Sequence, residues 1–120
     1  MKVLILDDDA DLAATLSDAL RFAGHEVVLA ATITTARRRM AETSGLDVAV
    51  LDVNLDEDNT IGLVRELRRS FPDLRIVSMT GGGRVGANIG MPLATAHGAD
   101  AALLKPFTID ELLKAVVPAS

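Results

Sequence analysis

The chain has 120 residues, 49% hydrophobic and 24% charged, and its 12 basic and 17 acidic side chains leave a net charge of −5. This length fits one ordinary domain, residues 1–120, able to bury a core without staples, and the acidic balance argues against nucleic acid or an anionic membrane as a direct partner. With no Cys, Trp or Tyr and only three Phe, disulfides, thiolate metal sites and thiol catalysis are excluded, the core must be aliphatic, and base stacking lacks its aromatic platforms.

Val3-Leu4-Ile5-Leu6 is an unbroken apolar run, too short for a helix, and reads as a first buried strand. Asp11 to Ala23 follows with Leu12, Leu16, Leu20 and Ala23 on one helical face, and Gly24 stands where a C-cap belongs. Glu26 to Ala30 reads as a second strand. Thr32 can cap a helix that turns Ile33, Ala36 and Met40 inward and Arg37, Arg38 and Arg39 outward. Val48 to Leu51 is a third strand, Ile61 to Phe71 a helix closed by Pro72, and Ile76 to Met79 a fourth strand. Residues 81–90 hold five glycines and read as a loop. Pro92 suits the first turn of a short helix ending at Gly98. Ala101 to Leu104 is a fifth strand, and Thr108 with Glu111 forms a capping box for a last helix to about Val117.

Apolar strands alternating with helices imply an α/β fold, a parallel sheet covered on both faces: a five-stranded doubly wound (βα)5 sheet, flavodoxin-like, of strand order 2-1-3-4-5. Ligands in that class bind at the carboxyl ends of the strands. There the chain places Asp7, Asp8 and Asp9, then Asp52 with Asn54, then Thr80, then Lys105 and Pro106. Clustered carboxylates repel and call for a cation. Oxygen ligands without His or Cys suit Mg²⁺. A carboxylate beside a metal, an ammonium and a hydroxyl is equipped to form an acyl phosphate.

These strand ends, Leu6-Asp7-Asp8-Asp9, Leu51-Asp52-Val53-Asn54, Met79-Thr80-Gly81 and Leu104-Lys105-Pro106-Phe107, resemble the receiver domain of two-component response regulators, and the resemblance runs the length of the chain. It implies a phosphorylation-controlled signalling switch, not an enzyme beyond its own phosphorylation and dephosphorylation. Asp52 would be the phosphoacceptor. Asp7 and Asp8 would be the acidic pair holding Mg²⁺, Asp8 more directly, with the Asn54 backbone carbonyl as a further ligand. Thr80 and Lys105 would engage phosphoryl oxygens, and the Lys105–Pro106 bond would be cis. The donor would be a cytoplasmic sensor histidine kinase or phosphotransfer protein, and output would pass to another protein. With the last helix ending near Ser120, a stand-alone receiver in the cytoplasm is expected, with an excised fragment of a longer chain as the alternative. No apolar run approaches the roughly 20 residues of a membrane span.

The sequence departs from the family's pattern in places. Asp56 and Thr60 stand where a Pro and a Gly are usual after the phosphoacceptor, and Ala102 replaces a frequent aromatic. Either the switch would then rely on the 81–90 loop, with the 84–97 segment, including Asn88 and His97, as the partner-sensitive surface, or the output face lies elsewhere; Arg84 reads equally as a residue that approaches the phosphoryl group and as a solvent-exposed one. Asp9 and Asp11 read as first-turn acids favoured by the helix dipole, Asp56, Glu57 and Asp58 as a solvated loop, His25 and His97 as surface cap residues, and Arg65, Arg68 and Arg69, like Arg37 to Arg39, as solvated helix faces. Two alternatives stand beside the switch. One is a receiver-like binding module that takes no phosphate. The other is a nucleotide site using Gly81, Gly83 and Gly86, although that glycine pattern follows the fourth strand and meets Pro92.

Overall fold

The computed structural model describes residues 1–53, 57–81 and 99–117. In chain order these form β1 (Lys2–Leu6), α1 (Ala10–Phe22), β2 (Glu26–Ala30), α2 (Ile33–Glu42), β3 (Val48–Asp52), α3 (Glu57–Ser70), β4 (Arg75–Gly81), β5 (Ala101–Lys105) and α4 (Ile109–Val116). The five strands make one parallel sheet in the order β2-β1-β3-β4-β5, as the alternation of apolar runs and helices predicts. The chain steps from β1 outward to β2 and then back across to β3, so the order reverses between β1 and β3.

Buried side chains divide into two cores by strand parity. Leu4, Leu6, Ala49, Leu51 and Ile76 pack with α2 and α3. Val3, Ile5, Val48, Val50, Val77, Met79 and Leu103 pack with α1 and α4. Both faces of each central strand are therefore apolar, which is why these segments read as continuous runs.

The helix ends follow local chemistry. Asp9 is the N-cap of α1, its carboxylate accepting from the Leu12 N–H at 3.1 Å. Thr32 caps α2, and Thr108 and Glu111 close a reciprocal capping box on α4. At the far end of α1 the Gly24 N–H donates to Arg21 O and the His25 N–H to Leu20 O, at 2.9 and 3.0 Å, a paired closure that needs the positive φ of 96° at Gly24. The His25 ring sits 3.2 Å from the N-terminal amine, and its pKa is pushed down by burial and by that positive charge.

Two boundaries differ from the sequence reading by more than one residue. Helix α3 begins at Glu57, not Ile61, so Glu57 and Asp58 belong to its backbone rather than to a loop. Acidic residues in a first turn are favoured by the helix dipole, and Asp56 stands where a Pro would have marked the boundary. Strand β4 extends to Gly81, which pairs with Lys105; parallel pairing carries it past the end of the apolar run. The loop expected beyond Gly81 and the short helix at Pro92 lie outside the described residues, as do Asn54, Arg84 and His97.

Gly24 and Gly62 separate backbone strain from packing, since a Cβ at either would meet nothing within 4 Å. Gly24→Ala is expected to destabilise by about 1–2 kcal/mol through its left-handed φ alone. Gly62→Ala, inside α3, is expected to stabilise by about 0.5–1 kcal/mol. Urea unfolding midpoints at constant m-value check both; a Gly24→Ala variant as stable as wild type would contradict the cap geometry.

Candidate functional site

Parity decides which side chains meet at the carboxyl edge of the sheet. Ile5, Val50 and Leu103 face the α1–α4 core. Two residues further along the chain, Asp7, Asp52 and Lys105 keep that facing and converge. The Lys105 ammonium lies 3.0 Å from Asp7 Oδ2 and 3.4 Å from Asp52 Oδ2. Both carboxylates are nearly closed off from solvent, at 2% and 4% residue exposure. Asp7 Oδ1 also accepts the Asp9 N–H at 2.9 Å, and the Asp7 N–H donates to Ala30 O at 3.1 Å, so the residue is held by side chain and backbone alike.

Asp8 is exposed and completes an acidic cluster: one oxygen each from Asp7, Asp8 and Asp52 lies within 4.8 Å of the others. Among the described residues Lys105 pairs with two of these three carboxylates, and a cluster of acids this close favours a divalent cation. The donor set is all oxygen, and most of it is withdrawn from bulk water, which fits a hard ion such as Mg²⁺.

Thr80 approaches from the other layer. Asp52 pairs with Met79, so Thr80 lies one step beyond Asp52's level, and it shares parity with Ile76 on the α2–α3 side. Its hydroxyl is buried and has no hydrogen-bond partner among the described residues. An orphaned donor at the edge of an acidic site is equipped to receive an anionic oxygen, since leaving it unpaired is costly. The Lys105–Pro106 peptide is cis, as expected. Beside Lys105, a cleft of about 410 Å³ opens between α1 and the β5–α4 connection, lined chiefly by Leu12, Leu16, Pro106, Phe107 and Ile109. Leu104, at the edge of the sheet, is 43% exposed.

The structure thus brings together Asp7, Asp8, Asp52 and Lys105, with Thr80 on the adjoining strand end. Thr60 emerged only from the structure. Fully buried, it donates from its hydroxyl to the Asp52 carbonyl at 3.4 Å and ties α3 to the end of β3. The period that places Leu63, Val64 and Leu67 inward from α3 also places Thr60 inward, and that was its sequence signal.

The sequence matches the family description "response regulator receiver domain" over residues 3–117. The transcriptional regulatory protein PrrA of Mycobacterium leprae is 33% identical over 115 residues, 96% of this chain and 48% of PrrA. Curated relatives of this kind are longer, and the chain spans from 22% to 60% of their length. A response regulator receiver domain from Clostridium thermocellum superimposes with a TM-score of 0.85 at 27% identity, covering 96% of this chain and 90% of that one. A response regulator from Burkholderia pseudomallei, solved with a phosphorylated aspartic acid, a calcium ion and citrate, gives 0.82 at 28% identity over 96% of this chain and 65% of its own.

Burial of Lys105 acts to lower its pKa, but the Asp7 hydrogen bond and the charges of Asp52 and Asp7 outweigh it, and the net shift is upward from 10.5. The fold therefore holds this proton more tightly than the unfolded chain does. The resulting stability is fully present below pH 10.5 and is lost as pH rises through the elevated value. Without Tyr or Cys, few other groups titrate there. Denaturant titrations are expected to show wild type losing stability above pH 10.5 more steeply than Lys105→Met; parallel pH profiles would contradict the pairing.

Proposed function

The chain belongs to the response regulator receiver family, and on that premise we propose that it is a phosphorylation-controlled switch whose phosphoacceptor is Asp52. The observation that carries this reading is the Lys105 ammonium between Asp7 and Asp52, with the Thr80 hydroxyl, partnerless among the described residues, on the next strand end. An Asp52 carboxylate oxygen attacks the phosphorus of a phosphohistidine; the O–P bond forms, the P–N bond breaks, and its electron pair returns to the donor imidazole. Lys105 holds one phosphoryl oxygen by charge, and Thr80 donates to another. Asp7, Asp8 and Asp52, with the backbone carbonyl expected from Asn54, would hold Mg²⁺, which when bound would supply positive charge against the carboxylates and the incoming phosphoryl oxygens. Asp7, held in place by the Asp9 N–H, keeps Lys105 aimed at the acceptor before the phosphoryl group arrives.

The donor is a sensor histidine kinase or a phosphotransfer protein, met in the cytoplasm, and the signal leaves through protein contacts rather than by direct touch of nucleic acid. Residues 1–120 act as one domain in this reading. Among the described residues no helix is long and apolar enough to cross a membrane.

Intact-mass spectrometry after incubation with acetyl phosphate and Mg²⁺ tests the acceptor. One phosphoryl adduct is expected in wild type, with none in Asp52→Asn and none when EDTA replaces the metal. An unchanged wild-type mass would favour a binding module that takes no phosphate, and an adduct surviving in Asp52→Asn would move the acceptor elsewhere.

Mg²⁺ is expected to stabilise the fold by about 1.4 kcal/mol at ten times its Kd, as binding to the native state alone requires. Asp8→Ala should remove most of that gain and, without metal, be at least as stable as wild type, because one repelling carboxylate is gone. Thermal melts with and without Mg²⁺ read this directly; a wild-type Tm indifferent to the metal would contradict it.

A further inference from the structure

Half of the chain's 12 cations sit on two neighbouring helices: Arg37, Arg38 and Arg39 on α2, and Arg65, Arg68 and Arg69 near the end of α3. Over Ile33–Glu42 and Arg65–Phe71 only Glu42 and Glu66 oppose them, in a chain whose net charge is −5. The charge is therefore segregated, with one cationic face on an acidic molecule.

Part of this set serves the fold. Arg68 donates to the Pro72 and Leu74 carbonyls and pairs with Asp100. Arg37 pairs with Glu66 at 2.9 Å, both side chains half exposed. Arg38, Arg39 and Arg69 are exposed, and no carboxylate among the described residues pairs with them.

Between the two helices lies an apolar slot of about 130 Å³, lined by Met40, Ala41, Leu63, Leu67 and Phe71, with Arg37 and Glu66 among its walls. Phe71 is 43% exposed there. Arg38 is three residues from Ala41 and Arg69 three from Glu66, so each neighbours a wall residue on its own helix. The slot therefore has cations on both flanks. An exposed ion pair holds its partners weakly, so a competing carboxylate can draw Arg37 away from Glu66.

We propose that the α2–α3 face is a docking surface for an acidic amphipathic helix of another protein, which seats an aliphatic side chain in the slot and sets carboxylates against Arg37, Arg38 and Arg69. The combination selects the occupant. A slot sized for one side chain has no use for a sugar–phosphate backbone, and the chain's overall negative charge works against a polyanion or an anionic bilayer. A helix with an apolar stripe between acidic flanks satisfies slot and charge together. The surface stands apart from the Asp52 site, so it is tested on the unphosphorylated full chain, and failure of the phosphoacceptor reading leaves it intact.

The test is fluorescence anisotropy with a labelled synthetic helical peptide, leucines along one face and glutamates beside them. A scrambled peptide of equal composition, a single-stranded DNA oligonucleotide and phosphatidylserine vesicles are run alongside. Saturable, salt-sensitive binding of the amphipathic peptide is expected, about tenfold or more tighter than the scrambled one. The double variant Arg38→Glu/Arg69→Glu should weaken it about tenfold or more with Tm and Asp52 phosphorylation unchanged. Glu66→Gln, which removes the competing carboxylate, should tighten it. Equal binding of the scrambled peptide, indifference to the charge reversals, or stronger binding of DNA or vesicles would overturn the proposal. So would a wild-type self-association, seen by sedimentation, that the double variant abolishes.

Discussion

The Lys105 ammonium between Asp7 and Asp52 is the contact on which the site depends. Two carboxylates withdrawn from water on neighbouring strand ends repel each other, and the ammonium from a third strand offsets that repulsion. Lys105 is separated from Asp7 by nearly the whole chain, so the contact exists only when the β3, β4 and β5 pairings are all in register. A one-residue slip of β5 would turn Lys105 to the opposite face and take its ammonium away from both acids. Fold and site are thus specified by the same registers.

The sheet divides the work between its layers. Asp7, Asp52 and Lys105 continue the parity of the α1–α4 core, whereas Thr80 continues that of the α2–α3 core. A group bound at this edge would be gripped from both sides of the sheet. Thr60 adds a tie from within α3 to the Asp52 carbonyl.

Much of this was legible in the sequence. Unbroken apolar runs marked the buried parallel strands, and caps such as Thr32 and Thr108 marked helix starts, because both signals are local. The convergence of Asp7, Asp52 and Lys105 was legible too, since strand ends share one edge in this topology. What escaped depended on partners distant in sequence. Glu57 and Asp58 are polar enough to read as loop, and only the helix continuing behind them makes them its first turn. Thr80 and Gly81 are drawn into β4 by pairing with β5. Thr60 looked like a departure from a motif, and its bond to Asp52 depends on how α3 packs.

The aliphatic core carries an optical consequence. Without Trp or Tyr, the protein is almost dark in the near ultraviolet, and none of its own side chains emits with useful intensity. A single indole placed at Leu104, exposed at the sheet edge and adjacent in sequence to Lys105, would report its surroundings against an empty background. Binding of a cation at the acidic cluster could then be followed in time by stopped-flow emission, with no label and no correction for intrinsic signal.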